Sequence, residues 1–308
     1  MQIKKHQALT PELLREVKRL HFQTRRLADQ GVVGRYRSAF RGTGMEFEEV
    51  REYFPGDDIR SIDWKVTARS RKPFVKSYRE ERELTVMVAI DVSASTLTGT
   101  RGALRAAQIA RAGAVLSLIA LTNNDKVGLV TYSDRLESYH PPRKARSAVW
   151  RILHEVLAEI PSGQRQTDLA GLCSLLSNVL KRRAIIFVLS DFIADGYEVA
   201  LGTLARRHDV NAVVVADPAD YELPDSGLTR IYDPESGETR LVDLGDTKLR
   251  ADYRNLARER AKARDDIFRR HGVGTLSLQT DKPFMDELRR YFDRRSRPRR
   301  LPRAHRPV

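Results

Sequence analysis

Two uninterrupted apolar runs, Leu84-Thr-Val-Met-Val-Ala-Ile90 and Ala184-Ile-Ile-Phe-Val-Leu189, set the terms on which this chain can fold. Each is too short for a buried helix and lacks the polar alternation of a half-exposed strand. Strands that are apolar on both faces belong in the interior of a parallel sheet covered on both sides. The remainder of the sequence keeps the same rhythm. Strands are expected at 84–90, 126–132, 136–140, 184–190, 211–216 and 274–279, with helical patterns at 102–121, 145–159, 168–181, 196–207, 247–271 and 283–293. Strict alternation of this kind specifies an α/β fold with a doubly wound, mostly parallel sheet of Rossmann type. The 136–140 segment follows its predecessor after a tight turn and is expected as an antiparallel edge.

The flanks break the rhythm. Residues 10–29 read as a helix, with Thr10 as cap, Pro11 at the first position and Leu13, Leu14, Val17, Leu20 and Leu27 as its apolar contacts. Between Gly42 and Glu83 the pattern is strand-like, Phe47, Val50 and Tyr53 and then Phe74 to Tyr78, divided by the turn signal Pro55-Gly56-Asp57. Residues 228–244 alternate on either side of Pro-Glu-Ser-Gly237, as a hairpin does. The expected organisation is an N-terminal helix and small β-rich arm over 1–83, a main domain over 84–293 with the hairpin inserted, and a basic tail over 294–308. At 308 residues the chain can bury a substantial core.

Net charge is +14, but its distribution matters more than its size. Residues 289–308 carry +8 and residues 1–44 carry +7, which leaves −1 for everything between. A duplex-binding domain would carry its basic footprint on the folded body, so nucleic acid is disfavoured as a partner. Three prolines and few apolar side chains in the tail cannot repay the entropy of ordering it, and it is expected to be mobile. The single cysteine, Cys173, excludes an intrachain disulfide and falls on an apolar helical stripe with Leu169, Leu172, Leu176, Val179 and Leu180, where packing accounts for it.

Function is concentrated at strand ends. Asp91-Val-Ser93-Ala-Ser95 delivers one carboxylate and two hydroxyls where the first buried strand turns. Taken alone this is either a polar turn with a helix cap or the outline of a hard-cation site, because magnesium takes oxygen ligands in a near-octahedral shell. Gln166-Thr167-Asp168 places a threonine before a helical pattern, and Ser190-Asp191 closes the second apolar run. In an open parallel sheet, turns beyond the carboxyl ends of two strands can converge on one ligand. Asp91, Ser93, Ser95, Thr167 and Asp191 together resemble the metal-ion-dependent adhesion site of von Willebrand factor A domains.

A longer signature lies upstream: Gly42-Thr-Gly44-Met-Glu-Phe-Glu-Glu-Val-Arg51-Glu-Tyr-Phe-Pro55-Gly56-Asp57-Asp58-Ile-Arg60-Ser-Ile-Asp63-Trp64, then Ala68-Arg69 and Tyr78-Arg-Glu-Glu81. It is similar to the bacterial and archaeal family known as domain of unknown function fifty-eight, from about residue 30 to about residue 295. The resemblance implies a von Willebrand factor A-like domain that works with a MoxR-type AAA+ ATPase in assembling or remodelling other proteins. It also implies Mg²⁺ as cofactor, with Mn²⁺ or Ca²⁺ as alternatives. Ser93 and Ser95 would bind it through their hydroxyls, Thr167 directly or through water, and Asp91 and Asp191 mainly through water and hydrogen bonds. Neutral ligands leave the dication's charge largely uncompensated, so a partner's Asp or Glu gains by joining the shell. Many relatives begin with two membrane-spanning helices. Here no run of 18 apolar residues occurs and Met1-Gln-Ile-Lys-Lys-His lacks a signal-peptide core, so a cytoplasmic protein without a transmembrane segment is expected.

The expectation is therefore a Mg²⁺-dependent protein-interaction module and not an enzyme; the alternative is binding of nucleic acid or an acidic partner through the basic termini. No G-x-x-x-x-G-K-[ST] and no Ser/His/Asp constellation is present, and the seven histidines are scattered, with surface or helix-end roles as the default. Asp168 and Asp195 read as helix-start caps. The segment Pro55–Trp64 reads as turn scaffolding, its aspartates capping local amides and Trp64 anchoring the arm on the core; in the other reading Asp57, Asp58 and Arg60 form part of a partner surface.

Overall fold

The computed structural model describes residues 15, 19, 20, 22, 31–40, 46–70, 72–79, 83–100, 104–145, 147, 152, 166–233 and 236–296. Most of the helix expected at 10–29, most of that at 145–159, residues 42–45, 80 and 81 of the upstream signature and the tail from 297 onward lie outside the described residues.

A six-stranded sheet forms the centre, with strands β3 (Thr85–Asp91), β4 (Lys126–Tyr132), β5 (Leu136–Arg143), β6 (Ile185–Ser190), β7 (Asp209–Ala216) and β10 (Gly274–Gln279). Their order is β10-β7-β6-β3-β4-β5; every pairing is parallel except β4 with β5, the expected antiparallel edge. The chain steps from β3 to β4 on one side and later returns to place β6 on the other. The winding therefore reverses between β3 and β6, and in open α/β sheets ligands gather beyond the carboxyl ends of the strands at such a point.

Helices cover both faces because β3 and β6 are apolar on both. Helix α3 (Arg105–Thr122) lies over Val88 and Ile90, and its Gly113 allows the approach: a Cβ there would sit 3.1 Å from Ile90 Cδ1. On the opposite face Met87, Ala89, Ile186 and Val188 pack with α4 (Leu169–Val179), α5 (Glu198–Arg207) and α6 (Thr247–His271) through Leu172, Cys173, Leu176, Leu204 and Phe268. Cys173 is buried there, as its stripe required. Helix α6 starts at the cap of Asp246, whose carboxylate accepts from Lys248 N and Leu249 N, and ends at Gly272 with φ 68°. Helix α7 (Met285–Ser296) carries Leu288, Tyr291 and Phe292 inward and extends past the expected end, so Arg294, Arg295 and Ser296 are helical instead of tail.

Helix α1 (Val32–Ala39) has no counterpart in the sequence pattern, since only Val32 and Tyr36 face the interior and Gly34 interrupts the run. Strands β8 (Leu228–Tyr232) and β9 (Thr239–Asp243) form the hairpin, with Leu228 paired to Asp243.

Arg41–Leu84 is a compact unit of its own. Strands β1 (Glu46–Glu52) and β2 (Phe74–Arg79) pair antiparallel, with an irregularity between Phe47 and Glu49. Between them Asp57 accepts from Phe54 N and Arg51, Asp58 from Arg60 N, and Asp63 from Lys65 N and Val66 N, so the aspartates cap local amides. Asp63 thereby starts α2 (Trp64–Ser70), which leaves Trp64 at the first helical position and 69% exposed. Among the described residues no helix is long and apolar enough to cross a membrane.

Candidate functional site

β3 ends in a carboxylate because its last residue, Asp91, is carried to the point where the winding reverses by a strand with no exposed face. Asp91 has no exposed surface. Its Oδ1 accepts from Ser93 N at 2.9 Å, the bond that folds the following turn back on the strand end. Ser93 is buried, and its hydroxyl oxygen stands 3.0 Å from that of Ser95. Thr96 Oγ1 donates to Ser93 O at 2.7 Å and Thr98 Oγ1 to Ser95 O at 2.6 Å, so the turn is held from within.

The other two segments reach the end of β3. Asp168 caps α4 through Gly171 N, and its own amide donates to Ser133 O beyond β4; Thr167, one residue earlier, thus donates from Oγ1 to Asp91 Oδ2 at 3.4 Å. β6 delivers Ser190, whose hydroxyl donates to Asp91 Oδ2 at 2.7 Å, followed by Asp191. Asp191 Oδ1 accepts from Ile193 N at 3.0 Å and Oδ2 from Arg105 Nη1 at 2.7 Å. Hydrogen bonds therefore join Ser93 and Thr167 to Asp91 directly and Ser95 through Ser93, whereas Asp191 makes none to these four and acts on Asp91 through its charge. Asp195 does not cap α5, whose first position follows Tyr197 without a side-chain bond.

Burial, and then the charge of Asp191, push the Asp91 carboxyl up to about 7. Burial and then Asp91 raise the hydroxyl of Tyr132, on the neighbouring strand, well above its ordinary value, so it stays protonated. Among the described residues no three His, Cys, Asp or Glu side chains gather as a metal-binding group. Hydroxyls would have to complete any oxygen shell here. The Ser93–Ser95 separation of 3.0 Å fits that role, because adjacent ligands about 2.1 Å from a six-coordinate magnesium lie about 3.0 Å apart.

Three contributors escaped sequence reasoning: Ser190, Arg105 and Asp220. Arg105 is 2% exposed; besides Asp191 it donates from Nη1 to Ser95 O at 3.1 Å and from Nη2 to both oxygens of Asp220 at 2.6 and 2.7 Å. Burial alone would lower its pKa, but Asp191 and then Asp220 outweigh this and raise it. The available signal was its position. A cation at a helix N-terminus opposes the helix dipole, and such a residue usually answers to a specific carboxylate. Asp220 belongs to a turn after β7 in which Asp217 and Asp220 cap each other's backbone, and Asp217 binds Thr100 and Thr280. Beside it lies a cleft of 690 Å³, where Arg250 and Arg254 pair with Asp225 and Glu222 and so carry little free charge.

Uncharacterized proteins of Mycobacterium tuberculosis and Mycobacterium bovis are 31% identical to this chain over 293 residues, which is 93% of this chain and 91% of theirs. An uncharacterized protein of Mycobacterium avium is 33% identical over 163 residues, 51% of this chain and 94% of its own. Among solved structures, the conserved hypothetical protein BatB of Bacteroides thetaiotaomicron matches 69% of this chain and 98% of its own at 16% identity and a TM-score of 0.46. An aerotolerance-related membrane protein of Bacteroides fragilis matches 68% and 99% at 18% identity and 0.45. The family described as protein of unknown function DUF58 matches residues 49–263, and the chain belongs to that family.

Proposed function

We propose that Asp91, Ser93, Ser95, Thr167 and Asp191 form a metal-ion-dependent adhesion site of the von Willebrand factor A kind, which holds Mg²⁺ and offers it to a carboxylate of another protein. The observation that carries this reading is the pair of serine hydroxyls 3.0 Å apart beside a fully buried carboxylate, at the strand ends where the sheet reverses its winding. The ion supplies a positive centre that an external Asp or Glu can join. The protein's residues do the rest. Ser93 N and Ser190 fix the Asp91 carboxylate, Asp168 fixes the height of Thr167 by capping α4, and Ile193 N and Arg105 fix both oxygens of Asp191.

No group in this arrangement is set up as a nucleophile, and the reading is of a binding module and not an enzyme. Partnership with a MoxR-type AAA+ ATPase, in assembly or remodelling of a client, rests on the resemblance carried by the upstream signature. Calorimetric titration should show Mg²⁺ binding to the wild type and its loss in Asp91→Ala. Capture of the ATPase or client should fall in EDTA. Equal capture with Mg²⁺, with EDTA and by the variant would remove the ion from the binding mechanism.

A further inference from the structure

Arg105 is an unusual residue to bury at this place. A buried ion pair seldom stabilises a fold more than apolar side chains of similar volume, because both charges must leave water. Stability alone therefore does not explain a guanidinium that is 2% exposed, set against a carboxylate of the proposed site that is 3% exposed. Its geometry is suggestive in another way. One edge of the guanidinium serves the site, through Asp191 Oδ2 and Ser95 O, while the other serves Asp220, whose side chain is 19% exposed. Arginine keeps its charge at every physiological pH.

Resting on the metal-site reading above, we propose that Arg105, shared with Asp220, sets the electrostatic balance of the site, weakening its hold on the dication so that the bound ion retains positive charge for an outside carboxylate. With Asp91 and Asp191 alone, two negative charges would cancel the ion. Arg105 offsets Asp191 and restores an attraction for an anion; Asp220, on the solvent side, draws part of that cation away. The two residues act in opposite senses. Charges several ångströms apart at a partly buried site shift an equilibrium by roughly tenfold.

This separates the proposal from a merely structural role. Mn²⁺, followed by its electron paramagnetic resonance signal, serves as the metal probe, and acetate, followed by water-proton relaxation of the Mn²⁺-loaded chain, as the carboxylate. Arg105→Gln keeps an N–H donor and removes the charge: Mn²⁺ should bind about tenfold more tightly and acetate about tenfold more weakly. Arg105→Lys should stay near wild type in both. Asp220→Asn should move both constants the opposite way, with Mn²⁺ weaker and acetate tighter. Loss of both affinities in Arg105→Gln with its fold intact would make Arg105 a scaffold and overturn the proposal. Should Arg105→Gln not fold, unchanged constants in Asp220→Asn would overturn it as well. Failure of wild type to bind Mn²⁺, or its undiminished binding by Asp91→Asn, would instead reject the metal site itself.

Discussion

With its Asp91 carboxyl raised to about 7 by burial and by Asp191, the chain gains a pH dependence of known sign. An unfolded aspartate titrates near 3.9. Between about pH 4 and 7 the folded state therefore binds a proton that the unfolded state has released. The contribution is fully present below about pH 4 and is lost as pH rises through 7, a change of ~4 kcal/mol for a shift of this size. Buried His208 acts in the opposite direction: burial, with Arg207 and Arg183, lowers its pKa, so its contribution is lost as pH falls below about 6.5. Comparison with Asp91→Asn isolates the first effect, since asparagine keeps an acceptor for Ser93 N and turns its amide NH2 toward the Ser190 hydroxyl, which can accept, without titrating. Urea unfolding of both chains in EDTA from pH 4 to 8 should show the variant gaining on the wild type across that range. A constant difference between them would contradict the burial account of Asp91.

At the level of elements, legibility followed locality. Strand β4 and helix α6 lie where the sequence placed them, β4 because it is apolar on both faces and α6 because Asp246 and Gly272 mark its ends. Helix α2 was not legible, for Trp-Lys-Val-Thr-Ala-Arg-Ser has no apolar stripe and no buried residue. The same holds for the site. Asp91, Ser93 and Ser95 announce themselves within five residues, whereas the partners of Arg105 lie 86 and 115 residues away and no local pattern points to them. Gly128 shows how an element can depend on such an unseen neighbour. A Cβ there would stand 2.8 Å from Met87 Cε and 2.9 Å from the carbonyl oxygen of His140 on the edge strand. Methionine can move, but a paired backbone carbonyl cannot easily do so. Gly128→Ala should cost about 2 kcal/mol in denaturant unfolding through this overpacking; a loss below about 0.5 kcal/mol would mean that β5 yields freely.

Across the whole molecule, polar side chains gather at both ends of the sheet, and the two gatherings have different tasks. The carboxyl ends of β3 and β6 carry the candidate site, while the starts of the strands carry a clamp between the two ends of the chain. Arg295 of α7 reaches Asp209 at the start of β7 and Asn211, and its guanidinium lies 4.5 Å from the centre of the Phe40 ring. Arg35 of α1 pairs with Asp293 at 2.9 Å, and Tyr36 donates to Asp125, just before β4, at 3.0 Å. Arg295 therefore belongs to the fold and not to the basic tail, and the folded body reaches at least to Ser296. Arg295→Met would leave Asp209 without its guanidinium in a place only a quarter exposed, at a cost of about 2 kcal/mol, below the range for a fully buried pair because solvent reaches both partners. Mutations at well-separated sites without shared partners act independently. Arg295→Met should thus lower the urea midpoint while leaving the Mn²⁺ affinity of the folded chain unchanged, and a change in both would show that the clamp at one end of the sheet governs the site at the other.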